Sequence, residues 1–423
     1  MSSLNDILYR LQGSFLYNLP FAAAAAIWRR LLLRTTFIAI TGSNGKTTTK
    51  DLLAGLLASK YPTVKTLANA NGRFGLLRTI LSVRPWHRFA VVEVGIKAPG
   101  QMWRAALVTR PDIVVITSVA AEHKQNFLSL EVTAAEKAKL LGRLGENSLA
   151  VLNGDDERVR DMAGPGMFRS VYFGTSSESD MWADAISGNW PERLRFRVHS
   201  GDQTYALATR LVGTHWTPSV LAALLTAREC GVDVAAAVPQ VARMESHPGR
   251  MQPVRLASGA VLIRDEQNGS AGTTEAAFHV FRQARAKRRI AILSDLTKDN
   301  RTAAQRIFAL GQAAAQVADI VVFTGQESRH GVRGAVLAGL NQECAFGFTG
   351  LRATLSWLQQ NLREGDVALL KGNHFHHLSR LYFGLLGPVA CWKEECTRRG
   401  LCDTCPELLS PSTALKQDLP ASG

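Results

Sequence analysis

Short apolar runs alternate with longer helical patterns from residue 37 onward. The apolar runs of the first half are rich in β-branched residues and predict strands at Phe37–Thr41, Ala90–Val94, Ile113–Thr117 and Ser148–Leu152. Because both faces of such strands are apolar, they are typical of a mostly parallel sheet that helices cover on both sides. The first half of the chain is therefore predicted to be an α/β domain.

Between Tyr172 and Leu211 the pattern changes to an alternation of apolar and polar residues. Leu194–Val198 and Thr204–Ala208 show this period of two, which predicts antiparallel strands at the edge of the same sheet. A pair of helices is expected from about Pro218 to Met244.

The polar segment Glu245–Gly249 contains a Pro-Gly pair and is the best candidate for a domain boundary. A second alternating series follows, with predicted strands at Ala260–Ile263, Arg289–Leu293, Ile320–Phe323 and Val367–Leu370. This series predicts a second open α/β domain of Rossmann-like type. The predicted division is an N-terminal helical segment at 1–34, a central domain at 35–246, the Rossmann-like domain at 247–387, a cysteine-rich segment at 388–409 and a disordered tail at 410–423.

Composition narrows the class of protein. The 423 residues allow about two to four domains, and 46% hydrophobic with 20% charged residues exclude a largely disordered chain. The net charge of +14 suggests a phosphate-rich partner such as nucleic acid, anionic lipid or a phosphorylated substrate. Because basic and aromatic residues are not interleaved, nucleic acid ranks last among these partners.

The N-terminal stretch contains the longest apolar run, Phe21–Trp28, which is too short to span a bilayer. Asp6 and the lack of a cleavage pattern argue against a secretory signal, so a cytoplasmic location is expected. Leu4–Leu33 could lie on a membrane as a basic amphipathic helix or pack against the core. Packing is the favoured alternative.

The strongest chemical signal is Thr41–Thr48, TGSNGKTT, directly after a predicted strand and before a predicted helix. In such a loop the helix N-terminus and backbone N–H groups bind phosphate, a lysine reaches the outer phosphates and a hydroxyl binds magnesium. Lys46 and Thr47 occupy those positions, although Ile40 stands in place of the first glycine of the full pattern. The predicted nucleotide-binding residues are Gly42, Ser43, Asn44, Gly45, Lys46, Thr47 and Thr48.

With the residues that follow it, this loop resembles that of the Mur ligases, the ATP-dependent amide ligases of peptidoglycan synthesis. The resemblance runs from about Phe37 to Leu381 and is strongest to the branch that adds D-alanyl-D-alanine to a muramoyl peptide. It implies that ATP phosphorylates a substrate carboxylate and that an amine then displaces phosphate from the acyl phosphate. Magnesium and Lys46 would neutralise the two reacting anions.

Four stretches carry the resemblance. Asn69–Gly75 is similar to an Asn-rich loop near the reacting carboxylate, Glu93 matches a magnesium-binding glutamate, and His123 matches a histidine that helps hold a second magnesium. Lys137 falls where the family has a carbamylated lysine, whose added carboxylate binds magnesium. Taken singly, Glu93 could be a solvated strand end, His123 a loop histidine and Lys137 a surface lysine. The resemblance implies the catalytic residues Lys46, Glu93, His123 and Lys137, and the magnesium ligands Thr47, Glu93, His123 and Lys137.

The second domain resembles the family less closely. The resemblance implies that Arg250 contacts the ATP phosphates, Asp265 the ribose and Asn268 the adenine. Arg264 stands where the family more often has an acid, and Lys371 belongs to a late Lys-Gly near the acyl phosphate or the incoming substrate. Each of these could also belong to an ordinary loop between a strand and a helix.

Two departures weaken a standard substrate and nucleotide assignment. Trp216 and Ser219 occupy positions where the family has asparagines, although a Trp face could stack on a base. Only 40 residues precede Thr41, whereas the peptidoglycan enzymes have a UDP-binding domain there, so a standard UDP-muramoyl peptide is not expected. The alternative to a ligase is a nucleotide-binding scaffold or partner subunit without full turnover.

Four cysteines crowd into fifteen residues near the C-terminus, with a final Cys-x2-Cys pair. Their spacing predicts a structural zinc site, with a [4Fe-4S] cluster and unliganded thiols as alternatives. His374, His376 and His377 could add a ligand, although a surface loop is the favoured interpretation. The predicted zinc ligands are Cys391, Cys396, Cys402 and Cys405.

Overall fold

The computed structural model describes residues 18–120, 127, 129–163, 168–297, 299–393, 396 and 402–408. The predicted disordered tail at 410–423 and residues 1–17 of the N-terminal segment lie outside this part of the chain. The chain divides into two compact units. The first contains the residues up to 187, 194–210 and 215–245, and the second contains 188–193, 211–214 and the residues from 246 onward.

The first unit begins with a helix and continues as alternating strands and helices. Its helices are α1 Asn18–Leu31, α2 Lys46–Ala58, α3 Arg73–Ser82, α4 Gln101–Thr109, α5 Leu130–Ala138, α6 Glu157–Arg160, α7 Thr217–Glu229 and α8 Val234–Arg243. Its strands are β1 Thr36–Thr41, β2 Thr63–Lys65, β3 Phe89–Glu93, β4 Ile113–Ile116, β5 Leu149–Asn153, β6 Arg169–Gly174, β7 Met181–Ser187, β8 Arg195–Ser200 and β9 Gln203–Ala208.

The described strands of the first unit form one sheet in the order β2-β3-β1-β4-β5-β6-β7-β8-β9. In sheet order, the neighbours from β2 through β1 to β7 pair in parallel. Strands β7, β8 and β9 pair antiparallel, as the period-two pattern predicts. The register places Ile40 opposite Glu93 and Thr41 opposite Ile116. The carboxyl ends of β1, β3 and β4 therefore meet at one edge of the sheet, where open α/β folds bind ligands.

Helix α1 packs on helices α3 and α4 and buries one face in the core, as the favoured alternative predicts for its described residues. Ala25 and Leu32 join the core formed with Phe37, and the Trp28 indole N–H donates to the Val83 carbonyl at 2.9 Å. Arg29 forms an ion pair with Asp112 at 3.0 Å. Among the described residues, no helix combines the length and the apolar character that crossing a bilayer requires.

The described strands of the second unit form a sheet of six in the order β10-β11-β15-β12-β13-β14, parallel except for the antiparallel pair β10–β11. The predicted α/β class, with a phosphate-loop domain followed by a Rossmann-like domain, is confirmed. The strands are β10 Gln252–Arg255, β11 Val261–Asp265, β12 Arg288–Leu293, β13 Ile320–Thr324, β14 Ala345–Phe348 and β15 Asp366–Lys371. The helices are α9 Ala271–Arg282, α10 Ala303–Ala315, α11 Ser328–Leu337, α12 Leu351–Asn361 and α13 Ser379–Leu386.

Candidate active site

The loop between β1 and α2 depends on two glycines. Gly42 and Gly45 have φ angles of 143° and 83°, which side chains other than glycine rarely adopt. A Cβ atom on Gly42 would also lie 2.0 Å from Thr117 Oγ1, so the loop passes too close to the end of β4 for any larger residue. The sequence at these positions thus folds into the tight turn that a phosphate loop needs.

Residues at the end of β4 hold the loop in place. The backbone N–H of Ser43 donates to the Ser118 carbonyl at 2.8 Å, and the N–H of Asn44 donates to Ser118 Oγ at 3.0 Å. Thr117 Oγ1 donates to the Asn44 carbonyl at 2.5 Å. Sequence reasoning did not identify Thr117 and Ser118 as parts of the site, although their position directly after a strand was a usable signal.

Lys46 is the first residue of α2, and its ammonium group turns back toward the loop. Its Nζ donates to the carbonyls of Gly42 at 2.6 Å and Ser43 at 2.7 Å. The N–H groups of the first helical turn have no partner within the helix, and the helix dipole adds partial positive charge there. An ammonium group and a helix N-terminus within one loop make a site for a phosphate group.

Glu93, at the carboxyl end of β3, is the second centre of charge at this edge. Its side chain is fully buried, and Oε1 accepts hydrogen bonds from Thr47 Oγ1 at 3.1 Å and from Asn71 Nδ2 at 2.7 Å. Oε2 is also buried and has no hydrogen-bond partner within the described residues. A buried carboxylate oxygen without a donor is costly unless a cation binds it, so this observation fits a magnesium ligand.

Lys50 lies one helical turn after Lys46, and its side chain faces Glu93. Its Nζ is 3.8 Å from Glu93 Oε2 and 3.3 Å from Asp51 Oδ1, and it donates to the Ala68 carbonyl. Burial lowers the pKa of the Lys50 ammonium group, and the carboxylates of Asp51 and Glu93 oppose that shift. Lys50 was missed from the sequence, where only its i, i+4 spacing from Lys46 could have indicated it.

Two of the predicted magnesium ligands lie together among the described residues. Thr47 and Glu93 are in contact, and Asn71 of the Asn-rich loop reaches the same carboxylate. Lys137 is buried on α5. His123 lies outside the described residues.

The two residues that depart from the family pattern lie at the start of α7, in the same unit. Ser219 is buried beside the phosphate loop, since a Cβ on Gly45 would be 2.6 Å from Ser219 Oγ. Trp216 is 7% exposed, and its indole N–H has no hydrogen-bond partner among the described residues. Stacking of Trp216 on a base stays a prediction.

At the carboxyl edge of the second sheet, Asp265 and Lys371 form a buried ion pair. Lys371 Nζ donates to Asp265 Oδ2 at 2.6 Å and to the Asn268 carbonyl at 2.6 Å, and Asp265 Oδ1 accepts from the Met251 N–H at 3.1 Å. Burial raises the pKa of Asp265 and lowers the pKa of Lys371, while the ion pair opposes both shifts. The aspartate predicted to touch ribose therefore anchors the linker that carries Arg250.

Arg264, which stands where the family more often has an acid, is buried between two carboxylates. It donates to Glu266 Oε1 at 2.5 Å and to Asp403 Oδ1 at 2.8 Å. Burial disfavours the charged guanidinium, but Glu266 and Asp403 together raise the pKa of Arg264. Arg264 thereby ties the described part of the cysteine-rich segment to β11.

The predicted zinc or iron–sulfur site is not supported. The described residues include all four cysteines, yet they contain no group of three or more His, Cys, Asp or Glu side chains arranged to hold a metal. Cys402 Sγ instead lies 3.2 Å from His377 Nδ1, in a small core with Phe383 and Leu408. Burial raises the pKa of the Cys402 thiol to about 12. The cysteines concerned are Cys391, Cys396, Cys402 and Cys405.

Comparison with known proteins agrees with this geometry. Residues 40–227 match the Mur ligase middle domain, and residues 249–374 match the Mur ligase glutamate ligase domain. The UDP-N-acetylmuramoyl-tripeptide--D-alanyl-D-alanine ligase of Mycobacterium tuberculosis H37Rv is 29% identical over 378 residues, covering 84% of this chain and 74% of the relative. The corresponding Escherichia coli K12 ligase is 27% identical over 314 residues, covering 74% of this chain and 69% of that protein.

Solved structures show the same fold. MurF from Acinetobacter baumannii superposes with a TM-score of 0.79 at 22% identity, covering 88% of this chain and 80% of that one. MurF ligase from Thermotoga maritima, solved in complex with ADP, gives a TM-score of 0.74 at 20% identity, with coverages of 87% and 83%.

Proposed function

This chain belongs to the Mur ligase family of ATP-dependent, ADP-forming amide ligases, and from that premise we propose that the edge holding Lys46 and Glu93 activates its carboxylate substrate. One observation carries the proposal: the buried Glu93 Oε2 has no hydrogen-bond donor among the described residues and lies on the carboxylate that Thr47 contacts. That arrangement suits a cation placed beside the phosphates of ATP.

The proposed reaction has two steps. A substrate carboxylate oxygen attacks the γ-phosphorus of ATP, and the bond from that phosphorus to the β–γ bridging oxygen breaks. ADP is released, and the substrate becomes an acyl phosphate. The neutral amine then attacks the acyl carbon, inorganic phosphate leaves, and the new amide loses one proton. Lys46 and the N-terminus of α2 hold the phosphates, and Thr47 and Glu93 would hold magnesium, which neutralises charge between the two reacting anions.

A trapping experiment tests the proposal directly. Hydroxylamine, offered instead of the amine, should convert the acyl phosphate into a hydroxamate in amounts equal to the ADP formed. Glu93→Gln should lose this product, whereas Glu157→Gln, which changes an exposed residue of α6, should keep it. Hydroxamate formation by Glu93→Gln at the wild-type rate would contradict the assignment.

Lys137 is proposed to be carbamylated and to bind magnesium together with His123. The burial of Lys137 on α5 supports this role, because an ordinary ammonium group is expensive to bury. Lys137→Ala should lose activity and regain part of it with added short carboxylates, and mass spectrometry should detect the added carbamate in the wild type. Lys60→Ala is the control, since Lys60 is an exposed lysine of the same unit. A fully active Lys137→Ala variant would remove Lys137 from the site.

For the substrates, we propose a peptide-like carboxylate and an amino acid or short peptide as the amine. The relatives described above are named for joining D-alanyl-D-alanine to a muramoyl tripeptide, which supports this chemical class. A screen of ADP and phosphate release against pools of peptides and amines identifies the pair, since release should require both. Arg250, Asp265 and Asn268 stay proposed nucleotide contacts.

A nucleotide-binding scaffold without full turnover is the second candidate. Trp216 and Ser219 favour it, because they replace two family asparagines and Ser219 lies against the phosphate loop. ATP binding measured by calorimetry, together with no ADP formation across the whole substrate screen, would select the scaffold over the ligase.

Zinc binding by the cysteine cluster and a cytoplasmic location also remain predictions. The spacing of the cysteines supports zinc, and none of the six described cysteines forms a disulfide with another, which suits a reducing compartment. Elemental analysis of protein purified without added metal decides the first point. Less than about 0.1 zinc per chain, or iron with sulfide, would end the zinc prediction.

A further inference from the structure

The outward face of α1 is apolar, although the helix already buries its other face in the core. Leu19, Ala23, Ile27 and Leu31 are exposed at helical spacing, and Leu33 follows them, 89% exposed. A surface helix normally carries polar residues on this side, and a helix that is apolar all round is normally covered. We call Leu19, Ile27, Leu31 and Leu33 the apolar ridge.

Two exposed tryptophans lie on segments that α1 contacts. Trp86 is 69% exposed and lies between β3 and the segment that α1 contacts through Trp28 and Val83. Trp103 is exposed on α4, the helix whose last carbonyl, at Thr109, accepts a hydrogen bond from Arg29 of α1. Tryptophan favours the boundary between lipid and water because its ring is apolar and its N–H is polar.

The surroundings of the apolar ridge are basic and contain almost no acid. Helices α1, α3 and α4 and the segments 32–35 and 83–88 have no Asp or Glu. Asp112, the acid next to α1, is paired with Arg29. The exposed arginines on these elements or next to them are Arg30, Arg34, Arg73, Arg78, Arg84, Arg88, Arg104 and Arg110.

Two hydrogen bonds show that Arg34 and Arg88 lie at the same edge of the sheet. The guanidinium of Arg88 donates to the Arg34 carbonyl at 3.0 Å, and the N–H of Thr36 donates to the Arg88 carbonyl at 2.9 Å. Leu33 and Trp86 therefore lie at the amino ends of β1 and β3. The phosphate loop lies at the other end of β1, about 20 Å away for a strand of this length.

We propose that the apolar ridge, with Trp86 and Trp103, docks this enzyme on an anionic lipid bilayer. The ridge enters the boundary between headgroups and acyl chains, and the arginines contact acidic headgroups. The positive charge of this face favours acidic lipid over other occupants, because neither a second copy of the same basic surface nor a neutral partner would compensate it. The sequence predicted a membrane contact at residues 4–33. The proposed contact uses residues 19–33 of that stretch and adds Trp86 and Trp103 of the same unit.

Flotation of the full-length protein with vesicles tests the proposal. We expect binding to vesicles with about 30% phosphatidylglycerol in phosphatidylcholine, little binding to pure phosphatidylcholine, and at least a severalfold loss between about 50 and 300 mM salt. The double variant Ile27→Glu, Leu31→Glu should bind at least about tenfold more weakly, because two apolar side chains leave the lipid. Arg34→Gln should weaken binding about fivefold.

The matched control is Leu337→Glu, which changes a leucine 66% exposed on α11 of the second unit and should bind as the wild type does. ADP formation should be unchanged in all these variants, which shows that they fold. Wild-type protein that stays unbound, or a double variant that floats normally, would overturn the proposal. A dimer without lipid that the double variant converts to monomer, measured by light scattering, would also overturn it and assign the face to a second copy.

Discussion

Each of the two sheets places an acid beside a lysine at its carboxyl edge, but the two pairs differ in geometry. Glu93 Oε2 and Lys50 Nζ are 3.8 Å apart, and the oxygen has no hydrogen bond from any described residue. Asp265 Oδ2 and Lys371 Nζ are 2.6 Å apart, and Lys371 also donates to the Asn268 carbonyl. The first pair leaves a carboxylate oxygen available for a cation, whereas the second satisfies itself.

Similar residues at the ends of strands can therefore serve opposite purposes. A close buried ion pair stabilises the fold only while both partners remain, and its groups are not free to follow a reaction. A carboxylate left short of donors is unfavourable by itself but complementary to a metal ion. We therefore expect substitution of Glu93 to change activity more than stability, and substitution of Lys371 to lower stability strongly.

The largest expected effect comes from Lys46→Ala. Removing the ammonium group should lower ATP turnover at least about 1000-fold, because phosphoryl transfer depends on charge at the phosphates. Thermal unfolding and circular dichroism should stay close to wild type. Lys60→Ala changes an exposed lysine of the same unit and should keep full phosphate release. Turnover within tenfold of wild type in Lys46→Ala would show that the carboxyl edge of the first sheet is not the site of phosphoryl transfer.

Lys371→Met tests the second member. It leaves Asp265 buried without its partner, so urea unfolding should report a loss of about 3 to 5 kcal/mol in the free energy of unfolding. Adding Asp265→Asn should recover part of that loss, since the unpaired charge is removed. Lys287→Met, at an exposed lysine of the same unit, should change stability by less than about 0.5 kcal/mol. Equal losses in Lys371→Met and Lys287→Met would show that the pair is not structural.

Glu93→Gln sharpens the contrast because it keeps the shape of the side chain and removes its charge. We expect turnover to fall about 100-fold and the magnesium concentration for half-maximal rate to rise about tenfold. Stability should stay the same or rise, since a buried charge is removed. The measurement is ADP formation across a magnesium titration. An unchanged magnesium requirement would argue that Glu93 does not bind the ion.

The smallest expected effect separates backbone strain from crowding at the phosphate loop. Gly45 and Gly100 have similar φ angles, 83° and 79°, but only a Cβ on Gly45 would meet another side chain, Ser219 Oγ at 2.6 Å. Gly100→Ala should cost about 1 kcal/mol in unfolding free energy, and Gly45→Ala about 1 kcal/mol more. Adding Ser219→Ala to Gly45→Ala should recover the excess. Equal costs for the two glycines would mean that Ser219 yields freely.

The alternation of apolar runs and helical patterns was sufficient to predict the class of both domains. The strand predicted at Ile113–Thr117 is observed at Ile113–Ile116, and the one at Ala90–Val94 is observed at Phe89–Glu93. These predictions succeed because the apolar pattern of a strand depends on which faces are buried, and buried parallel strands are apolar on both faces. The prediction for the cysteine cluster, by contrast, has no support among the described residues. Its spacing predicted a metal site, but spacing does not show that Cys402 packs beside His377.

What the sequence determined by itself is local: the strand, glycine turn and helix of the phosphate loop lie within Phe37–Ala58, so neighbouring residues set their backbone conformation. Only the tertiary structure showed that Glu93 keeps an oxygen without a hydrogen bond from any described residue, whereas Lys371 satisfies Asp265. Lys371 reaches Asp265 from 106 positions away, and Glu93 meets Thr47 from 46 positions away. Such pairings depend on the order and register of strands in a sheet, and on the burial that results, none of which is encoded by the spacing of two residues along the chain.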